Sequence, residues 1–219
     1  MRSNAMGAEK QGQASPFAII LLIMLPLLSS YPTTVVTAGE SDVRGVVEGL
    51  NTTLLDVMQS ADKLGYEGRY QKLEPSLRSS FDFAFMAKIA VGRAWNDFDR
   101  GQRKQLVERF TRMSIATFAA RFDGYSGERF EILGEKPGRR NTVIVDDRII
   151  RPKDPPVGLN FVLKQRGDGR WQIIDVMLDG KFSELARQRA EFSSVLKRGG
   201  YDELIAALDE QIATLKDQS

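Results

Sequence analysis

The chain has 219 residues, of which 42% are hydrophobic and 27% are charged, a composition that is typical of a folded globular protein. Its formal net charge of +2 provides no strong positive field, so we do not expect nucleic acid as a partner. The sequence contains neither cysteine nor histidine. That absence excludes disulfides, thiolate nucleophiles and the side chain that most often acts as a general base or metal ligand.

The amino terminus resembles an export signal. An uncharged run of twelve residues, 17–28, follows a polar leader that carries Arg2 and Lys10. A helix of this length spans about 18 Å, which is short against the roughly 30 Å hydrocarbon core of a bilayer. The tripeptide Val36-Thr37-Ala38 fits a small-x-small cleavage site. We therefore predict a signal peptide over residues 1–38 and a mature domain over residues 39–219, with an uncleaved membrane anchor as the alternative.

The first half of the mature chain has helical periodicity. Apolar residues from Ser41 to about Gly65 recur every three or four positions, and Ser41 is a plausible N-cap. Residues 66–81 indicate short helical pieces that are interrupted at Pro75. Residues 81–95 carry large apolar groups on several sides, which indicates a buried segment.

A long helix follows. Asp99-x-x-Gln102 has the pattern of a capping box, which predicts a helix from Arg100 to about Phe122. Gly124 and Gly127 then interrupt the chain.

The period changes to that of strands after Gly127. Turn signals at Pro137-Gly138 and at residues 167–169 separate alternating segments, and Gly199-Gly200 breaks a final helical stretch. The order of elements predicts an α+β fold: amino-terminal helices, a four-stranded antiparallel meander and carboxyl-terminal helices. The predicted strands cover residues 129–135, 142–151, 157–165 and 170–179, and the predicted closing helices cover residues 183–198 and 201–216.

The sequence shows no phosphate-binding loop, metal cluster or nucleophile elbow, so we expect no cofactor, no metal and no catalytic residues. Asp146 and Asp147 are neighbours on a strand and point to opposite faces, so we interpret both as solvated charges. Asp175 lies between apolar residues on a predicted strand. We interpret it as a buried carboxylate that pairs with an arginine or a capping amide, in a structural role.

The sequence contains twelve phenylalanines and two tryptophans. These residues could fill an ordinary core. A curved antiparallel sheet with helices over one face can also enclose a cavity suited to apolar ligands. Periodicity alone leaves both interpretations open.

Several segments resemble the MlaC family, the toluene-tolerance auxiliary proteins of lipid transport. They are residues 92–95 with the following Gln102-Arg103 and Phe110, residues 120–130, residues 171–183, residues 187–192 and residues 199–208. The resemblance covers roughly residues 41–215. Residues 183–192 lie closer to HpnM, the hopanoid-associated branch of the family.

The resemblance implies a domain of NTF2-like core whose helices enclose an apolar cavity. It implies a periplasmic carrier that takes a lipid, with acyl chains or a polycyclic apolar body, between membrane-bound transporter components and contacts membranes transiently. The residues that we expect to bind the lipid are apolar or aromatic: Phe85, Met86, Ile89, Phe110, Met113, Phe118, Phe122, Tyr125, Val145, Ile149, Leu159, Phe161, Leu163, Ile173 and Val176.

Two other functions compete with the carrier. An enzyme for an apolar substrate would use Asp175 and Tyr125 as acid and base, and it would need both side chains inside one cavity. A structural adaptor would have a filled core.

Overall fold

The computed structural model describes residues 40–219, so the predicted signal peptide and its cleavage site lie outside the described residues. The helices are α1 (Glu40–Gln59), α2 (Ala61–Ser80), α3 (Phe83–Val91), α4 (Arg100–Arg121) and α5 (Glu184–Asp217). The strands are β1 (Arg129–Pro137), β2 (Thr142–Ile150), β3 (Val157–Gln165), β4 (Trp171–Leu178) and β5 (Phe182–Ser183). They form one antiparallel meander in the order β1-β2-β3-β4-β5, which confirms the predicted α+β class and adds a short fifth strand.

The first two helices differ in detail from the prediction. Ser41 lies inside α1 and is therefore not its N-cap. A backbone break does occur at Gly65, whose φ of 59° is outside the helical region. The predicted interruption at Pro75 is wrong, because α2 continues through it to Ser80. Pro75 is exposed, while Leu73 and Leu77 on the opposite side of the helix are fully buried. Packing of these two leucines therefore holds the helix together although Pro75 cannot donate a backbone hydrogen bond.

The capping box of α4 is confirmed. The backbone N–H of Gln102 donates to Asp99 Oδ1 over 2.8 Å, and the backbone N–H of Asp99 donates to Gln102 Oε1 over 3.0 Å. These two bonds satisfy amide groups that have no partner within the helix, so they fix where α4 begins. The predicted break in the last helix is confirmed at Gly200, whose φ is 72°.

The helices cover one face of the sheet, which we call the inner face. Val145, Phe161, Leu163 and Ile173 point to this face and are almost completely buried. The end of α2 and the link to α3 are tied to β4, because the Gln172 side chain donates to the carbonyl of Ser79 over 2.8 Å.

The inner face also carries a buried carboxyl group. Asp147 is 1% exposed and accepts a 3.0 Å hydrogen bond from the Asn51 side chain of α1. The interpretation of Asp147 as a solvated charge is therefore wrong. Its neighbour Asp146 does point to the other face, where it pairs with Lys136 over 2.7 Å. Among residues 40–219, no helix combines the length and the apolar character that crossing a membrane requires.

Candidate functional site: an apolar cavity between sheet and helices

A cavity of about 590 Å³ lies between the inner face of the sheet and the helices. This volume is within the usual range for sites that hold a small molecule or lipid. Its apolar wall is formed by Met58, Phe81, Phe83, Met86, Phe118, Phe122, Tyr125, Ile149, Val157, Leu159, Phe161, Val176 and Leu178.

Aromatic rings form a continuous wall on the helical side. The ring of Phe81 stacks on that of Phe83, with centroids 5.3 Å apart, and meets that of Phe118 edge-on at 5.7 Å. Phe118 stacks in turn on Phe122, also at 5.7 Å. The four rings are contributed by the α2–α3 junction and by α4. Because the rings pack against one another, they hold their positions even when no ligand occupies the cavity.

The cavity opens where three loops meet, and we call residues 121–128, 151–157 and 179–184 the mouth. Gly127 lies against the ring of Pro152, where an added Cβ would be 3.1 Å from Cγ. Asp179 Oδ1 accepts a 2.9 Å hydrogen bond from the backbone N–H of Gly158, which lies just beyond the second loop. The three loops are thereby connected to one another into a single rim.

Polar groups are concentrated at this mouth. The cavity lining includes Arg121, Asp123, Glu128, Arg151 and Glu184. The guanidinium of Arg151 donates to the carbonyl of Pro155 over 2.7 Å, and Glu184 is paired with Arg187. Charges at the opening and rings inside would suit an amphipathic ligand that keeps its polar end near water.

The few polar side chains deeper in the cavity are mostly satisfied by their own helices. Ser114 donates to the carbonyl of Phe110 over 2.8 Å, and Thr117 donates to that of Met113 over 2.9 Å. Gln188 is the exception: its amide donates weakly to Glu184 over 3.5 Å, and its Oε1 is buried without a partner among the described residues. Among the described residues, the only charged side chains that line the cavity belong to the mouth, so the interior demands no counter-ion from the ligand.

Eight of the predicted lipid-binding residues line the cavity. They are Met86, Phe118, Phe122, Tyr125, Ile149, Leu159, Phe161 and Val176. Their contact with a lipid stays a prediction.

The other seven predicted residues do not line it. Phe110, Met113, Val145, Leu163 and Ile173 are fully or almost fully buried in solid core. Phe110, for example, is packed between the rings of Phe83 and Phe192. Ile89 is half-buried against the core, and Phe85 lies under the ammonium group of Lys164, which is 5.1 Å from its ring centroid.

Sequence reasoning missed five apolar residues of the wall: Met58, Phe81, Phe83, Val157 and Leu178. Val157 and Leu178 continue the alternation of predicted inner-face positions, so the strand pattern contained a signal for them. Met58 and Phe81 carried no such signal. The position of Met58 depends on how α1 crosses the sheet, and that of Phe81 depends on its bridge to Ile173 of β4.

The carboxyl of Asp175 is engaged by the protein itself. It accepts hydrogen bonds from the Ser183 hydroxyl over 2.5 Å and from the backbone N–H of Leu185 over 3.0 Å, and it does not line the cavity. The capping amide that the sequence predicted is therefore present. Burial raises the pKa of Asp175, and the Ser183 hydrogen bond offsets part of that rise. Tyr125 lines the cavity and Asp175 does not, so the proposed acid–base pair is not assembled.

The fold and the cavity define a class of α+β proteins in which helices over an antiparallel sheet enclose space for an apolar ligand. Within that class the chain belongs to the MlaC family, whose model, described as "MlaC protein", matches residues 48–210. A solved structure of a phospholipid-binding protein from Ralstonia solanacearum, in complex with a phospholipid, is 22% identical and superposes with a TM-score of 0.70. The match covers 80% of this chain and 98% of that chain. No curated protein matches the sequence.

Proposed function

We propose that this protein is a lipid carrier that holds one lipid molecule in the cavity and moves it between membrane-bound transport complexes. The observation that carries the proposal is the apolar cavity of about 590 Å³, whose wall is aromatic and aliphatic and whose mouth is polar. Membership of the MlaC family and the phospholipid bound to the related R. solanacearum protein support the assignment to lipid binding.

The physical chemistry of the cavity suits a carrier better than a store or an enzyme. Burying a chain of about fifteen methylenes in an apolar site is worth roughly 12 kcal/mol relative to water, at ~0.8 kcal/mol per methylene. A bilayer offers a similar gain. Exchange between cavity and bilayer is therefore nearly balanced, whereas release into water is strongly unfavourable.

The ligand is a phospholipid or a hopanoid-type lipid. The cavity wall contains rings and branched aliphatic groups without a charged residue among them, so it accepts acyl chains as well as a rigid polycyclic body. The similarity of residues 183–192 to the HpnM branch favours the polycyclic ligand, and the R. solanacearum structure favours the phospholipid.

The carrier works in the periplasm after export. The uncharged run at residues 17–28 and the cleavage pattern at Ala38 support export by a cleaved signal peptide. The partners are membrane-bound transporter components that donate or accept the lipid.

A transfer assay tests the proposal. Donor vesicles carry a fluorescent phospholipid with a quencher, acceptor vesicles carry neither, and purified protein is added. We expect fluorescence to rise faster with the protein than without it. With Leu159→Trp, which places an indole ring in the cavity, fluorescence should rise only at the basal rate. Equal rates with and without the wild-type protein, together with a wild-type protein that holds no lipid in native mass spectrometry, would contradict the carrier function.

A further inference from the structure

The most exposed of the large apolar side chains among the described residues belongs to the mouth. Phe182 is 69% exposed, and it is one of three large apolar residues whose side chains are exposed, together with Tyr125 and Leu133. Phe182 and Tyr125 both belong to the mouth, whereas Leu133 lies on β1 and does not line the cavity.

Phe182 continues the apolar wall of the cavity outward. It is paired directly with Leu178 across β4 and β5, and residues directly opposite each other in an antiparallel pair project from the same face. Leu178 lines the cavity. The inner face of the sheet therefore passes directly from the cavity wall, at Leu178, to the largely exposed ring of Phe182.

The backbone holds this ring in an exposed position. Asp179 and Gly180 have φ values of 50° and 66°, and the N–H of Lys181 donates to the carbonyl of Leu178 over 3.0 Å. This tight turn and the two-residue strand β5 are anchored by Ser183, whose hydroxyl bonds to Asp175. Exposure of Phe182 thus results from ordered structure.

The charges of the mouth are nearly balanced. Its three loops contain four basic side chains, Arg121, Arg151, Lys153 and Lys181, and five acidic ones, Asp123, Glu128, Asp154, Asp179 and Glu184. Such a surface offers little attraction to an anionic protein patch or to an anionic membrane. Exposed aromatic side chains are instead a feature of protein surfaces that enter the interfacial region of a bilayer.

We propose that the mouth is a docking surface for the interfacial region of a lipid bilayer, into which the ring of Phe182 inserts. The inference rests on the proposed function, because a carrier must receive its ligand without exposing the chains to water. With Phe182 among the head groups, the apolar path from bilayer to cavity would run along Phe182 and Leu178. The occupant of the surface is the bilayer itself.

Binding of the full-length mature protein to phosphatidylcholine vesicles, measured by flotation, tests the inference. We expect Phe182→Ala to lower the partition coefficient about tenfold, because partial burial of a phenyl ring corresponds to about 1.4 kcal/mol. Phe182→Trp should retain binding, since tryptophan also prefers the interface. Leu133→Ala is the matched control, an exposed apolar residue away from the mouth, and it should bind as the wild type does.

Three results would overturn the inference: equal binding of Phe182→Ala and wild type, binding that requires added phosphatidylglycerol and disappears in salt, or no binding to protein-free vesicles. The last result would favour a protein receptor. Native mass spectrometry of the same preparations separates this inference from the proposed function. Phe182 does not line the cavity, so Phe182→Ala should keep its lipid. A wild-type protein without lipid would count against the carrier itself, whatever the vesicles show.

Discussion

Asn51 and Asp147 form a buried amide–carboxyl pair between α1 and β2, joined by a 3.0 Å hydrogen bond from Asn51 Nδ2 to Asp147 Oδ2. Asn51 Oδ1 and Asp147 Oδ1 are both buried without a hydrogen-bond partner among the described residues. A proton on Asp147 Oδ1 would give these two acceptors a donor to share. Burial raises the pKa of Asp147, and the bond from Asn51 offsets only part of that rise.

The pair predicts a dependence of stability on pH. Because the pKa of Asp147 is higher in the folded state than the value of about 3.9 in the unfolded chain, its contribution to stability is fully present below pH ~4. That contribution is lost as the pH rises toward the folded pKa. Asp147→Asn keeps a donor and an acceptor toward Asn51 and does not titrate. We expect this variant to gain stability over the wild type as the pH increases from 4 to 8.

Urea unfolding of both proteins over this pH range provides the measurement. Asp146→Asn is the control, since Asp146 lies on the opposite face in an ion pair with Lys136. That variant should show no such gain. A difference between Asp147→Asn and wild type that stays constant with pH would contradict the assignment.

Leu159 and Leu163 share one strand and one face, yet only Leu159 lines the cavity. Leu163→Trp should overpack solid core and cost about 1–3 kcal/mol in the free energy of unfolding. Leu159→Trp should leave the melting temperature of the lipid-free protein nearly unchanged, because its ring enters existing space. Thermal unfolding after delipidation compares the two variants, and equal destabilisation would contradict the cavity's position.

Gly92 ends α3 with a φ of 58°, and the guanidinium of Arg189 packs against it and donates to the carbonyl of Ile89 over 3.4 Å. An added Cβ would lie 3.1 Å from Arg189 Nη2. Gly92→Ala should therefore lower the free energy of unfolding by about 1–3 kcal/mol. Gly49→Ala, on the exposed side of α1 with open space around it, should raise it by about 0.5–1 kcal/mol. Chemical denaturation measures the free energy of unfolding of both variants. A result in which Gly49→Ala is destabilised and Gly92→Ala is not would contradict the prediction.

Sequence periodicity predicted which strand residues face the helices, but it could not distinguish core from cavity. Leu159 and Leu163 have the same place in the alternation, and only the helix above each one decides whether space remains beside it. The burial of Asp147 was missed for a related reason. Its partner, Asn51, is 96 residues away, and a strand pattern contains no information about which helix covers a polar position.

Local signals, by contrast, were sufficient where the structure is determined locally. The capping box at Asp99 and the break at Gly200 depend on neighbouring residues, and both are confirmed. Pro75 shows the limit of such signals. The proline favoured a break, and burial of Leu73 and Leu77 outweighed it.

Native mass spectrometry of the protein, isolated from its native host without added lipid, tests the central claim most directly. We predict one bound lipid per chain in the wild type and none in Leu159→Trp, with both proteins folded. A wild-type protein that carries no lipid, or a Leu159→Trp variant that keeps the same lipid, would contradict the account.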